Sequence, residues 1–212
     1  MPWPADAPLA GRRLLIFDLD GTVADTAPIH EAAFNAMLKP YGVTVDYPAI
    51  AGLRTDEALD AVLASHGIDA TAEERRRLVE AKRAAARQAL RQVAPLPGAL
   101  AFIAWARPRF RLAMASSGSG PSVRDVLGHL GLVDNFDPLV TGDDVTRPKP
   151  RPEPFLRCLE LTGIPAAEAL VFEDADPGLA AARAAGIAAI RIGDPALQPG
   201  AQGWPDLLEA AR

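Results

Sequence analysis

The chain has 212 residues, 49% hydrophobic and 23% charged, which is enough for a sizeable core in one large domain or two modest ones. A net charge of −5 offers no electrostatic footprint for nucleic acid or an anionic membrane surface, and the single cysteine, Cys158, excludes an intrachain disulfide framework and fits a reducing compartment. No apolar stretch approaches the roughly 18 residues of a membrane span, and MPWPADAPLAGRR lacks the basic start and apolar block of a secretory signal, so a cytoplasmic protein is expected.

Residues 14–17 (LLIF) form an apolar run that reads as a short buried strand. Directly behind it stand Asp18-Leu19-Asp20-Gly21-Thr22. On a strand, side chains two residues apart share a face, so the two carboxylates are expected to project together, with Gly21 permitting a sharp turn beyond them. Folding alone gives no reason to crowd two acids; a cation, a shared proton or separate chemical roles must offset their repulsion. A calcium loop also begins D-x-D-G, but it needs further acids at alternate positions and a glutamate at position twelve, where this chain has Thr22 and Ile29.

Residues 26–94 are rich in Ala, Arg and Glu, favour helix and contain no convincing strand. In 73–93, Val79, Ala86, Leu90 and Val93 share one helical face; Arg76, Arg83 and Arg87 share a neighbouring one, read as solvated. Pro95-Leu96-Pro97-Gly98 ends the block. Strands are then predicted at 111–116, 138–141, 169–173 and 187–192. Helices are predicted at 123–130, 153–162 and 177–185, the last with Asp176 as N-cap and Gly186 as its end. Such alternation predicts a parallel sheet with helices on both faces and ligands at the carboxyl ends of its strands. Cys158 falls within a predicted helix as a buried structural thiol. His66, His129 and the three tryptophans carry no functional signal of their own.

Three further segments lie at predicted strand ends or in a stiff loop. Met114 to Ser119 (MASSGS) exposes hydroxyls and backbone N–H groups suited to a phosphate oxygen. In Arg147 to Phe155 (RPKPRPEPF), prolines flank Lys149 and hold its ammonium near one place, useful for neutralising an anion. Val171-Phe172-Glu173-Asp174 closes an apolar strand with acids that could complete a magnesium site with Asp18. Each alone is also compatible with a surface turn, a proline-rich loop or an exposed strand end.

Taken in order, these four motifs resemble those of the haloacid dehalogenase-like hydrolase superfamily. The downstream KPxPxxF pattern from Lys149 to Phe155 and the E-D-x-x-x-G-x-x-A-A-x-x-A-G pattern from Glu173 to Gly186 look most like its beta-phosphoglucomutase-like branch. The resemblance implies an α/β fold: a Rossmann-like parallel sheet core (1–25 and 95–212) flanked by helices, with a small α-helical cap domain at 26–94. It implies a nucleophilic Asp18 that forms an aspartyl-phosphate, and Asp20 as general acid and base. Mg²⁺ would be bound by Asp18, the Asp20 carbonyl and Asp174, with Glu173 direct or through water. Ser116, Ser117 and Lys149 would bind the phosphoryl group. Many members carry another aspartate four residues after position 174, where this chain has Gly178, and Glu173 is expected to compensate. The expected activity is Mg-dependent hydrolysis of a small phosphorylated metabolite by a monomer. The alternative is a sugar-phosphate isomerase, whose pattern has a cap histidine matched by His30, a G-x-x-R arginine only approximated by Arg54 after Gly52, and a cap lysine that aligns near Ala84 with Lys82 and Arg83 adjacent. Dehalogenation is disfavoured because Asp20, needed to protonate an alkoxide, is present.

Overall fold

The computed structural model describes residues 8–193 and 202–211. Residues 1–7, part of the stretch read for a leader, and 194–201 and 212, within the expected second core segment, lie outside the described residues. Strands β1 (Leu14–Phe17), β2 (Arg111–Ala115), β3 (Leu139–Val140), β4 (Ala169–Glu173) and β5 (Ala188–Arg191) form one parallel sheet in the order β3-β2-β1-β4-β5. The helices are α1 (Ala27–Leu38), α2 (Thr55–Ser65), α3 (Ala72–Leu90), α4 (Ala99–Ala106), α5 (Gly120–His129), α6 (Glu153–Thr162), α7 (Asp176–Ala184) and α8 (Trp204–Ala210). β4 and α6 coincide with their expected spans; α4 and α8 were not anticipated. Asp176 is the first residue of α7 rather than its cap: the extended backbone ends at Ala175, and the Asp176 carboxylate pairs with Arg191 on β5. No helix among the described residues is long and apolar enough to cross a membrane.

The continuous apolar strands follow from burial on both faces. Leu15, Phe17, Leu112, Met114, Leu170 and Phe172 join one cluster with α4, α5 and α8. Their neighbours Leu14, Ile16, Ala113, Ala115 and Val171 join another with α6 and α7. Cys158 is fully buried in the second, and burial pushes its thiol up to about 12, as expected of a structural thiol.

Between β1 and α4 the chain makes an excursion through α1, α2 and α3. Phe34, Met37, Leu38, Leu59, Val62 and Leu63 there build a third apolar cluster. Its way out and its way back run side by side: the Asp25 amide donates to Ala94 O at 2.9 Å and the Leu96 amide to Val23 O at 2.9 Å. Thr71 and Glu74 close a capping box at the start of α3, fixing where that long helix begins.

Candidate active site

Sheet register places the acids. β1 and β4 pair in parallel with Phe17 opposite Phe172, and the Asp18 amide donates to Phe172 O at 3.0 Å. The residues just past both strands therefore meet at the carboxyl edge, where the strand order changes direction in the sequence, the usual ligand crevice of such sheets. Carboxylate oxygens of Asp18, Glu173 and Asp174 lie within 4.8 Å of one another. Gly21 allows this approach: its φ is +79°, and a Cβ there would stand 2.2 Å from Asp174 Oδ2.

Lys149, fully buried, answers part of that charge. Its ammonium donates to Asp18 Oδ1 at 2.6 Å and to Glu173 Oε1 at 2.8 Å. Burial opposes its charge, but the two carboxylates more than offset this and raise its pKa. The Ala175 amide donates to Glu173 Oε2 at 2.8 Å, so both Glu173 oxygens have protein partners. Burial, and Glu173 next, push Asp174 up to about 7; burial likewise raises Asp18 well above the usual carboxylate range despite Lys149. Carboxylates held this unfavourably in one place suit a hard cation, which prefers oxygen ligands.

Asp18 and Asp20 line one space, as expected, although β1 ends at Phe17 and both follow the strand rather than lie on it; the chain turns at Leu19, whose carbonyl accepts from the Val23 and Ala24 amides. Asp20 Oδ1 sits 3.1 Å from His30 Nε2, and Ser116 Oγ donates to Oδ2 at 3.5 Å. Burial alone would raise its pKa; the His30 hydrogen bond and charge, Thr26 and Lys82 together pull it down to about 2. Ser116 is buried and its Oγ also accepts from the Gly118 amide at 3.0 Å. Ser117 Oγ donates to Gly52 O at 2.8 Å, a bond between the sheet side and the α1–α3 side.

Two residues that the sequence did not single out as site members face this space. Lys82, the buried lysine of α3, lies 3.1 Å from His30 Nδ1, so Asp20, His30 and Lys82 form a chain. Near Ala84, where the resemblance aligns a cap lysine, the buried residues of α3 are Lys82, Ala86 and Leu90. Tyr47 lines the space over Asp18 and Asp20 with His30, Lys82 and Gly52. Burial, then the charges of Asp20, Asp174 and Asp18, raise its phenol. Tyr47 carries no local signal, and Lys82 is legible only as a neighbour of the cap lysine that the resemblance implies, because its partner His30 lies 52 residues away. Arg54, by contrast, is spent on a bidentate pair with Asp56 at 2.7 Å from each nitrogen. The arginine face of α3 is not uniform: Arg87 pairs with Asp125 at 2.9 Å, whereas Arg83 lines the same pocket as Asp20.

Comparison with known proteins matches most of the chain to proteins named as phosphatases. It is 35% identical over 179 residues to the fructose-1-phosphate phosphatase YqaB of Escherichia coli, covering 84% of this chain and 95% of that one. It is 32% identical to a phosphorylated carbohydrates phosphatase of Thermotoga maritima, covering 82% and 81%. The crystal structure of CbbY from Rhodobacter sphaeroides in complex with phosphate superposes with a TM-score of 0.76 at 28% identity, over 86% of this chain and 87% of that one. Residues 15–192 match the model of the haloacid dehalogenase-like hydrolases, and the chain belongs to that family.

Proposed function

We propose that this protein is a Mg²⁺-dependent phosphoric monoester hydrolase acting on a small sugar phosphate through an aspartyl-phosphate intermediate. The observation that carries the reading is the meeting of Asp18, Glu173 and Asp174 around Lys149, with Asp20 separately held by His30. The names of the YqaB and Thermotoga relatives supply the substrate class. Residues 26–94 act as a cap over a core formed by the rest, and the working form is a cytoplasmic monomer, since closure of the cap excludes water without a second subunit.

In this reading Asp18 attacks phosphorus, the bond from phosphorus to the leaving oxygen breaks, and that oxygen takes a proton from Asp20. His30, Thr26 and Lys82 hold Asp20 well below the usual carboxylate range in the free enzyme, so the proton it delivers has to arrive with substrate, whose phosphoryl charge opposes that of its carboxylate. It then accepts the proton of the attacking water, which cleaves the aspartyl-phosphate and releases inorganic phosphate. Asp18, Asp174 and the Asp20 carbonyl would hold Mg²⁺, which when bound supplies the positive charge that lets a carboxylate approach phosphate. Glu173, with both oxygens engaged, fixes Lys149; Lys149, Ser116 and the Ser117 amide bind the phosphoryl oxygens. The isomerase alternative asks Arg54 to serve a second phosphate, and its pair with Asp56 disfavours that role.

The test is phosphate release from fructose 1-phosphate with Mg²⁺ by wild type and Asp18→Asn, with circular dichroism to verify the fold. The variant should lose on the order of 10⁴-fold in kcat or more. A folded Asp18→Asn protein with substantial turnover refutes the nucleophile, and conversion of beta-glucose 1-phosphate to glucose 6-phosphate without free phosphate would establish the isomerase.

A further inference from the structure

Three carboxylates converge at the edge of the sheet, but they are not held alike. Lys149 donates to Asp18 at 2.6 Å and to Glu173 at 2.8 Å, and the Ala175 amide holds the other Glu173 oxygen at 2.8 Å. None of these bonds reaches the Asp174 carboxylate, to which the Thr22 hydroxyl donates at 3.1 Å. Asp174 is repelled by its two neighbours, and it belongs to a turn rather than to a strand: β4 ends at Glu173 and α7 begins at Asp176. The β4–β5 ladder stops one residue short of it, with the Ile192 amide on Glu173 O at 2.8 Å, and the first bond into α7 uses Ala175 O. The Asp174 carbonyl falls in the gap between ladder and helix.

Arg191 fills that gap. It stands opposite Glu173 as the last residue of β5. Its Nη1 donates to Asp174 O at 2.7 Å, and its Nη2 pairs with the Asp176 carboxylate. Among the described residues no other group donates to that carbonyl. One planar fork thus grips both the residue that carries the inward carboxylate and the residue that starts the helix. Asp176 is exposed, where an ion pair alone contributes little, so the value of the fork lies in geometry. Asp174 has little freedom to spare: Gly21 packs so closely that a Cβ there would collide with its Oδ2. A small drift of the turn would take that oxygen away from those of Asp18 and Glu173, now all within 4.8 Å of one another.

We propose that Arg191 is a positioning residue for the cation site: by holding the Asp174 carbonyl and the Asp176 carboxylate at once, it keeps Asp174 where a divalent cation can bridge it to Asp18. This rests on the Mg²⁺-dependent reading above and adds to it a residue that touches neither cation nor substrate.

The experiment titrates the full chain with Mg²⁺ and follows its melting temperature, which needs no turnover, in wild type, Arg191→Gln, Arg191→Lys and Asp176→Asn. The apparent Mg²⁺ affinity read from the melting shifts should fall roughly tenfold to a hundredfold in Arg191→Gln, as for other groups that orient a metal ligand. Arg191→Lys keeps the charge without the fork, and Asp176→Asn weakens one end of the fork at an exposed position; both should show smaller losses. A merely structural Arg191 would lower melting equally with and without Mg²⁺ and leave the affinity in place. That result, or a raised KM for fructose 1-phosphate with Mg²⁺ affinity unmoved, overturns the proposal. Should Arg191→Gln fail to fold, wild-type affinity in both other variants overturns it by the same readout. Wild type that shows these Mg²⁺ shifts but releases phosphate from no monoester would sink the phosphatase reading and leave this proposal standing. Wild type whose melting ignores Mg²⁺ would remove the metal reading and the proposal together.

Discussion

At position 178 two effects oppose each other. Gly178 lies inside α7, where alanine is ordinarily better than glycine by about 1 kcal/mol. A Cβ there would stand 1.7 Å from Glu173 Oε1, however, and Glu173 cannot withdraw without leaving Lys149 and the Ala175 amide, each at 2.8 Å. Charged hydrogen bonds in a buried site contribute about 1.5–3 kcal/mol each, so the collision outweighs the propensity. Gly178→Ala should destabilise the protein by roughly 2–4 kcal/mol, lower its melting temperature by several degrees and reduce kcat as Lys149 loses its position. A variant that melts at or above wild type would mean that Glu173 has another place to go. In sequence the glycine reads only as a missing aspartate; in the structure its bare Cα leaves the space that Glu173 fills.

At the scale of elements, strands and motif ends were readable and the partners brought from a distance were not. β4 and α6 could be bounded from sequence because their apolar runs and flanking turn residues are local signals. α8 could not: seven residues give little periodicity, and its worth lies in Trp204, fully buried against Phe17, Phe102 and Phe172, with its indole N–H donating to Thr22 O at 2.7 Å. A tryptophan that carried no functional signal thus holds the Asp18–Thr22 turn in place from 182 residues away. Trp204→Phe keeps most of the apolar contact but leaves a buried carbonyl without its donor. It should cost about 1–3 kcal/mol, a melting shift of several degrees, whereas Trp204→Ala should cost about 3–5 kcal/mol. Equal melting of wild type and Trp204→Phe would show that the indole bond contributes nothing. α3 makes the same point through charge, since a buried lysine contradicts the polar-out pattern that sequence reading relies on. Burial, only partly countered by Asp20 and assisted by Arg83, brings the Lys82 ammonium down to about 8. It loses its proton as pH rises through that value, so kcat/KM should fall on the alkaline side near pH 8. Lys82→Arg, charged throughout, should move that fall upward; an identical alkaline limb in the variant would exclude Lys82 as its source.

Across the whole molecule, the parallel sheet forces acids from distant parts of the sequence together at one edge, and the fold carries the cost when no cation is present. Asp174 takes up its proton at about 7 in the folded chain, against 3.8 for an unperturbed aspartate. Between those values the folded state holds the proton more tightly than the unfolded state. Stability without metal therefore falls as pH rises from about 4 to about 7, and the favourable contribution of protonation is gone above that. Asp18, also raised by burial, acts in the same direction, while Lys149 compensates only part of the charge. A divalent cation binds the folded acids and competes with their protons, so it should stabilise most where they are ionised. Melting curves in ~10 mM Mg²⁺ and in chelator should thus differ by a few degrees or more at pH 8 and by much less at pH 5.5. Asp174→Asn should raise the melting temperature in chelator at pH 8 and abolish the response to Mg²⁺. If Mg²⁺ shifts wild type equally at both pH values, or still shifts Asp174→Asn, the cation is binding somewhere other than the carboxylates that the sheet brings together.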